Sequence, residues 1–430
     1  MKCQSCGIDT EHKFLFCRNC GISLNSSTMS GVNDHSVYPD RFHGLDALRG
    51  ITMFLGIVIH AAMPYIPNVQ EFWPTDETSS YVISAIFQFI HIWRMPLFFI
   101  LSGFFAHLTI SKKSWRNWWA NRLSRIGLPI IVFFPLMSLT IPWIFAYGRT
   151  GEFTFFYSNE GQPYHLWFLW HLMIFVILTA IFRVIYLLGV RILDGSNRTW
   201  LTFIGDGFRK SKSVLSGILF RSRIPIVFII ISCVINISTW GELIANPGAS
   251  LLYFAFGYSL YGNASLFTLL KAHWKYYFLS GIIGFTLYMI LNVTESNNLV
   301  TYIYSDDITS SVEKEITELL QLLQYLLRIT CAVLFSYAFI GLSENRFGSY
   351  NPKIRFISDG AYWMYLIHLP IVSLITFVMF NLHIPIEVKF LIATGATSTV
   401  CFVTYKYCVR STPIGILLNG RRYPFRITRM

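Results

Sequence analysis

Apolar residues fall along this chain in ten runs, near 47–66, 81–109, 124–146, 165–189, 224–240, 248–262, 276–293, 318–342, 359–380 and 386–408. Runs of about 20 apolar residues match the length a helix needs to cross a ~30 Å hydrocarbon layer. The pattern predicts an all-α fold, a polytopic membrane helix bundle of about ten transmembrane helices. The runs at 224–240 and 248–262 are short, so tilted or re-entrant readings stay open for them.

The polar segments between the runs carry a second pattern. With the N-terminus inside, inner segments hold Lys112, Lys113, Arg116, Arg122 and Arg125, then the stretch Arg191 to Arg223, then Lys271, Lys275, Arg346, Lys353 and Arg355. The tail from Lys406 to Arg429 is also basic. Outer segments hold Arg149, Lys314 and Lys389 among seven acidic residues that include Glu71 and Asp76. Cytoplasmic loops favour Lys and Arg, and every loop here obeys that rule. Both termini are therefore expected on the cytoplasmic side. No apolar leader precedes the first run, so no signal peptide is expected.

Composition agrees with this reading. Of 430 residues, 54% are hydrophobic and 13% charged, and the mean hydropathy is +0.50. That balance excludes an ordinary soluble domain. The formal charge of +12 lies between the spans, where topology explains it, so membrane lipid rather than nucleic acid is the expected partner.

Ahead of the spans, Cys3, Cys6, Cys17 and Cys20 form C-x2-C-x10-C-x2-C, with Gly7 and Gly21 after the pairs. Four thiolates on tight turns suit a tetrahedral zinc ion, and the segment resembles a small zinc ribbon. Two disulfides or a redox dithiol are the alternatives, less suited to a reducing cytosol. The organisation expected is a zinc ribbon at 1–24, a linker at 25–40, a transmembrane domain at 41–410 and a basic tail at 411–430. The ribbon reads as a structural or docking module for a protein partner.

The chemistry sits on polar residues inside the spans. At about 100° per residue, Arg49 and His60 fall within about 20° of each other, and Asp46 about 40° to the other side. The first span thus carries all three on one face. Eleven residues rise about 16 Å, so Arg49 cannot touch His60, and a partner for His60 must come from another helix. Arg94 lies mid-depth in the second span, with Pro96 freeing a backbone carbonyl nearby and Ser102 further along. His165, Trp167 and His171 open the fourth span, Arg328 lies in the eighth, and Tyr362, Trp363, Tyr365 and His368 lie in the ninth. Ionisable residues within spans usually mark a functional site. Plainer readings exist: interhelical hydrogen bonds for His91 and His171, interfacial belt or packing roles for Tyr362 and Trp363, snorkelling for Arg183 and Arg191. Arg49 has one too, an i,i+3 pair with Asp46. Estimated from the run boundaries, Arg94 and His368 lie about two turns deeper than His60.

Taken together, LDALRG followed by His60, RMPLFFILSGFF, HLWFLWHL, AYWMYLIHLP and the ending STPIGILLNGRRYP resemble the acyltransferase-3 family of integral membrane acyltransferases. The likeness covers about 41–424 and runs towards the members that succinylate periplasmic glucans. It implies a bacterial inner-membrane enzyme that moves an acyl group from cytosolic acyl-CoA to a hydroxyl of an extracytoplasmic carbohydrate. It also implies that His60 is the essential catalytic residue, with Arg49 and Arg94 as the family's span arginines. On chemistry, His60 suits a general base, Arg94 an oxyanion partner, and Asp46 completes the catalytic candidates. Arg49, Ser102, His165, Trp167, Tyr365 and His368 are candidates for binding donor or acceptor. Succinyl and acetyl both stay open, as do glucan and another surface polysaccharide. A transporter or flippase using the same charges is the rival class, weakened by the lack of a repeat between the halves.

Overall fold

The computed structural model describes residues 42–112, 114–155, 163–194, 219, 224–236, 243–244, 246–296 and 310–419. Regular structure among them is entirely helical. In chain order the helices are α1 (His43–Ala62), α2 (Tyr81–Lys112), α3 (Trp115–Arg122), α4 (Leu128–Thr150), α5 (Trp167–Asp194), α6 (Ile226–Asn236), α7 (Pro247–Leu260), α8 (Ala264–Ser296), α9 (Ser310–Arg346), α10 (Pro352–Val378), α11 (Ile386–Thr404) and α12 (Pro413–Asn419). A five-residue π turn, Leu123–Gly127, joins α3 to α4, and another, Tyr405–Val409, follows α11.

Seven stretches among the described residues are long and apolar enough to cross a membrane: His43–Tyr65, Tyr81–Lys112, Trp115–Thr150, Tyr164–Gly189, Glu318–Arg346, Pro352–Val378 and Ile386–Val409. The protein is a multi-pass membrane protein. The remaining three runs of the ten fall in α6, α7 and α8. Described as 11 and 14 residues, α6 and α7 rise only about 16 and 21 Å. The four cysteines of the expected zinc ribbon lie outside the described residues.

Local signals explain several helix starts. Asn351 caps α10 by accepting from the amides of Lys353 and Ile354, at 2.9 and 3.3 Å, and Pro352 fills the first helical position. That Asn-Pro pair starts α10 seven residues before the apolar run, which brings Arg355 and Asp359 onto it. Asn246 and Pro247 start α7 the same way, with Asn246 Oδ1 accepting from Ala249 at 3.0 Å.

The chain divides into two units. Among the described residues, one comprises those within 99–123 and 168–342, and the other those within 42–98, 124–167 and 343–419. In the first, α2 and α7 cross at glycines. A Cβ on Gly103 would run into the backbone of Phe254, and one on Gly257 into the carbonyl of Ile100. Such small-residue crossings let membrane helices approach closely when lipid supplies no hydrophobic drive between them. His171 there meets Ser250 Oγ at 3.1 Å, the plain interhelical bond expected of it.

The second unit is organised about α1, which packs most extensively on α10. At the Asp46 end, Asp46 is 7% exposed and pairs with Arg49 at 3.2 Å and Arg355 at 3.1 Å. Arg355 also grips Asp359, at 2.7 and 3.0 Å. Ser358 Oγ donates to the Asp46 carbonyl at 2.8 Å, and the Leu45 amide donates to Glu344 Oε1 at 2.8 Å, satisfying an orphan N–H of the helix start. At the His60 end, Ala61, Ala62, Tyr65, Ile83, Val372, Met379, Phe390 and Ala393 form a buried apolar cluster across α1, α2, α10 and α11. Beside it Lys389 Nζ meets Asp76 at 2.8 Å and the Phe380 carbonyl at 3.0 Å, with both charged side chains almost wholly buried. The sequence analysis counts Lys389 and Asp76 among the outer charges, and the structure pairs them in a buried setting. Lys389 lies one turn inside α11, where it finds the Phe380 carbonyl and the loop carboxylate together.

Overpacking a backbone-to-backbone contact costs at least about 1–3 kcal/mol. Gly257→Val should therefore lower the melting temperature of the detergent-solubilised protein by more than about 4 °C. Gly395→Val, at a site with open space around it, should change it little. Equal melting curves for the two variants would show that the α2–α7 approach contributes nothing to stability.

Candidate active site

His60 stands in the last turn of α1, and the second unit brings four polar side chains together around it. The His60 and His368 ring centroids are 5.2 Å apart, and those of His368 and His165 are 5.0 Å apart. Arg94 enters from α2. Its Nη1 lies 2.9 Å, and His368 Nε2 3.6 Å, from where a Cβ on Gly56 would stand. Gly56 is one turn before His60 on the same face, so the missing side chain is the space the guanidinium and imidazole occupy.

Two of the histidines are held by one residue. His165 Nε2 donates to the Tyr365 carbonyl at 2.9 Å, while the Tyr365 hydroxyl donates to the His165 carbonyl at 2.7 Å. His368 Nδ1 donates to the Tyr365 and Met364 carbonyls, at 2.8 and 3.0 Å. Carbonyls only accept, so each bonded nitrogen carries the proton. In the neutral rings the other nitrogens, His165 Nδ1 and His368 Nε2, are bare acceptors, and both are enclosed without a partner. His165 sits in a 3₁₀ turn, Tyr164–Leu166, and Tyr164 before it takes φ +46°. That left-handed conformation costs roughly 1–2 kcal/mol for an L-residue, strain the reciprocal bonds with Tyr365 help to hold.

The remaining two groups have no such anchors. His60 Nδ1 and Arg94 Nε are enclosed with no hydrogen-bond partner, and no carboxylate among the described residues pairs with the guanidinium. His60 and Arg94 nevertheless keep partial exposure, whereas His165 and His368 are buried. The cluster therefore sets a base and a cation, both on partly exposed residues, beside two bare lone pairs on buried rings. Proton acceptance and stabilisation of a developing negative charge are the chemistry such a set supplies. Among the described residues no three His, Cys, Asp or Glu side chains converge as metal ligands.

The candidates from sequence divide clearly. His60, Arg94, His165, Tyr365 and His368 come together. Arg94 and His368 reach the level of the last turns of α1 rather than two turns deeper. Run boundaries mark the hydrocarbon, but the register between helices is set by packing, here at Gly56. Asp46 is fourteen residues from His60, about 21 Å along α1, and belongs to the ion-pair clasp with Arg355. Arg49 lies at that same end, bonded to Asp46 and 3.5 Å from the Ser358 carbonyl. Ser102 lies two turns beyond Arg94 on α2 and in the other unit. Trp167 opens α5 two residues after His165. Tyr362 and Trp363 follow their packing reading, donating to the Arg125 carbonyl and to Thr404 Oγ1 at 2.9 Å. Sequence reasoning missed Gly56, which looks like any glycine in a membrane helix. It also missed Trp73, whose indole lies parallel to the His60 ring at 5.8 Å. Neither carries a motif.

Comparison with known proteins fits this arrangement. The acyltransferase-3 family, described as an acyltransferase domain, matches residues 42–406. Curated relatives include the glucans biosynthesis protein C of Salmonella paratyphi B and that of Salmonella heidelberg. Each is 29% identical over 152 residues, covering 34% of this chain. The match spans 39% of each relative's own length. No solved structure matches the chain significantly. With most of its length in that match, and with the cluster of histidines and arginine built on the matched segments, this chain belongs to the acyltransferase-3 family of membrane proteins.

Proposed function

We propose that the protein transfers an acyl group from acyl-CoA to a hydroxyl of a carbohydrate, at the cluster around His60. The observation that carries this reading is the unpartnered His60 Nδ1 beside an enclosed, carboxylate-free Arg94. A sugar hydroxyl is too weak an acid to ionise near neutral pH, so its attack needs a base at the moment of bond formation. The hydroxyl oxygen attacks the thioester carbonyl as its proton passes to His60. The carbonyl oxygen becomes an oxyanion facing Arg94. The C–S bond then breaks, and the proton returns from His60 to the CoA thiolate, so neither proton nor charge accumulates. His165 and His368 present bare nitrogens that accept from further hydroxyls and so orient the acceptor.

Sidedness extends the proposal. The loop charges favour an inner-membrane protein with about ten spans and both termini in the cytoplasm. The Asp46 end of α1 then faces the cytosol, and the His60 end the far side. Arg49 and Arg125 lie within reach of each other's charge, a setting for the phosphates of a CoA donor. The relatives' printed name supports a glucan acceptor, and the acyl group in this reading is succinyl or acetyl. The N-terminal thiolates are a zinc ribbon in this reading, since two Cys-x2-Cys pairs on glycine turns match zinc's tetrahedral demand.

Acyl-CoA consumption by purified protein in detergent tests the reaction, because no gradient exists there. Wild type should turn over at least one of acetyl-CoA and succinyl-CoA, and folded His60→Ala and Arg94→Ala should each lose about 100-fold or more. Full activity in His60→Ala would end the assignment of the base. Failure of every CoA ester, even with glycan acceptors supplied, would move the protein to the transporter class.

A buried cation without a carboxylate is costly to fold around. Arg94→Met should therefore raise the melting temperature by about 2–6 °C while abolishing transfer, the exchange of stability for function expected of a catalytic charge. A lower melting temperature would assign Arg94 a structural role instead. For the ribbon, elemental analysis should find about one zinc per chain, falling to background in Cys17→Ser with transfer retained. Absence of zinc from freshly purified wild type would exclude that reading.

A further inference from the structure

We propose that Trp73 is the positioning residue for His60, taking the place of the hydrogen-bonded orienter that a catalytic histidine usually has. In a Ser-His-Asp arrangement a carboxylate at Nδ1 fixes both the tautomer and the tilt of the imidazole. His60 lacks that: its Nδ1 is enclosed and unpartnered. His165 and His368, by contrast, are each tied to backbone carbonyls. What fixes the plane of the His60 ring is packing. The Trp73 indole lies against it at 5.8 Å between centroids and 13° between planes, an offset stack, and His368 tilts against it at 5.2 Å.

A stack positions a ring only if the stacking partner is itself held, and Trp73 is. Its own Nε1 is enclosed without a partner, so the indole is not anchored through its polar atom. Phe145 of α4 meets it edge-on at 4.8 Å. The loop that carries it is fastened at several points. The Trp73 amide donates to Val69 O at 2.9 Å, the Asp76 amide to Pro64 O at 3.0 Å and the Ser80 amide to Tyr65 O at 2.9 Å. Arg149 of α4 donates to the Gln70 and Glu71 carbonyls, at 3.3 and 3.1 Å. The buried Lys389–Asp76 pair closes the loop onto α11. Three elements of the second unit thus set the position of one indole, and the indole sets the plane of the imidazole.

The kinetic part of this inference rests on the proposed transfer reaction. The test therefore pairs kinetics with a chemical readout that does not depend on it: carbethoxylation of His60 by diethyl pyrocarbonate, followed by mass spectrometry. Trp73→Ala should raise the rate of His60 modification several-fold, lower kcat about 30- to 100-fold and leave the donor KM within about two-fold, since a ring out of line by an ångström costs rate rather than binding. Trp73→Phe keeps an aromatic face and deletes the N–H, and should restore kcat to within about five-fold of wild type and return His60 modification to its slow rate. Arg149→Ala, an exposed change that releases two loop carbonyls, should raise His60 modification partway and serves if Trp73→Ala does not fold. Wild-type kcat and wild-type His60 reactivity in folded Trp73→Ala would overturn the proposal, as would a raised donor KM with kcat unchanged. If wild type turns over no CoA ester, the reaction assigned above fails, while His60 reactivity still decides whether Trp73 holds the ring.

Discussion

A guanidinium set among imidazoles, with no carboxylate among the described residues to answer it, is the feature on which the rest of the second unit depends. Elsewhere in that unit enclosed charges are paired: Asp46 with Arg355, Arg355 with Asp359, Lys389 with Asp76. Those pairs recover much of the desolvation penalty that any membrane-embedded charge incurs. Arg94 alone of these is left to face His368 and the space over Gly56. An unpaired cation persists in a folded protein when the surrounding structure over-determines its position and when function needs a charge that nothing else has neutralised. A carboxylate partner would stabilise the fold and, on the proposed function, quench the field that acts on the substrate.

The paired charges have a different task, which is register. Lipid offers little preference for one axial position of a helix over another, because sliding exposes apolar surface to apolar solvent. Polar clasps restore that preference. The Asp46–Arg355–Asp359 clasp and the Glu344 cap fix α1 against α10 at one end. The Lys389–Asp76 pair fastens the loop after α1 to α11 at the other. Between them, Gly56 comes opposite Arg94 and His60 opposite His368. A slip of one turn, about 5.4 Å, would separate rings that now stand 5.2 Å apart, so the clasps at the ends are what make the cluster in the middle possible.

This division accounts for how much of the protein was legible in its sequence. Seven of the ten apolar runs reappear as helices able to span, because span length and hydropathy are local properties. His60 and Arg94 were legible for a related reason: a charged or titratable residue inside an apolar run stands out against its neighbours. The first-span face was read correctly as geometry, yet it joined Asp46 to His60 in one site when the two belong to opposite ends of the helix. Angular position is periodic and depth is not, and only depth separates a clasp from a catalytic group. Gly56 and Trp73 were illegible because their roles are relational. A glycine becomes a cradle only when an arginine from another helix enters it, and a loop tryptophan becomes a platform only when the chain folds back over the end of α1. The Lys389–Asp76 pair was not legible for the same reason, since nothing local joins a charge after α1 to one in the first turn of α11.

The three histidines show why the relational part matters for chemistry. From sequence all three are imidazoles near the ends of apolar runs, His60 the candidate base and His165 and His368 candidates for binding. Their environments then part them. His165 and His368 each commit one nitrogen to a carbonyl, and neutral rings so held expose the other as a fixed acceptor. His60 commits neither nitrogen to the backbone carbonyls that hold the others, and its Nδ1 is left without a partner. On the proposed reaction His60 takes a proton and returns it with neither nitrogen committed to the backbone, whereas His165 and His368 only orient a hydroxyl and are locked. Holding the proton-carrying ring by its π face, through Trp73, keeps its plane while leaving its nitrogens uncommitted. Stacking holds the ring without a partner at Nδ1, where a Ser-His-Asp arrangement uses a carboxylate.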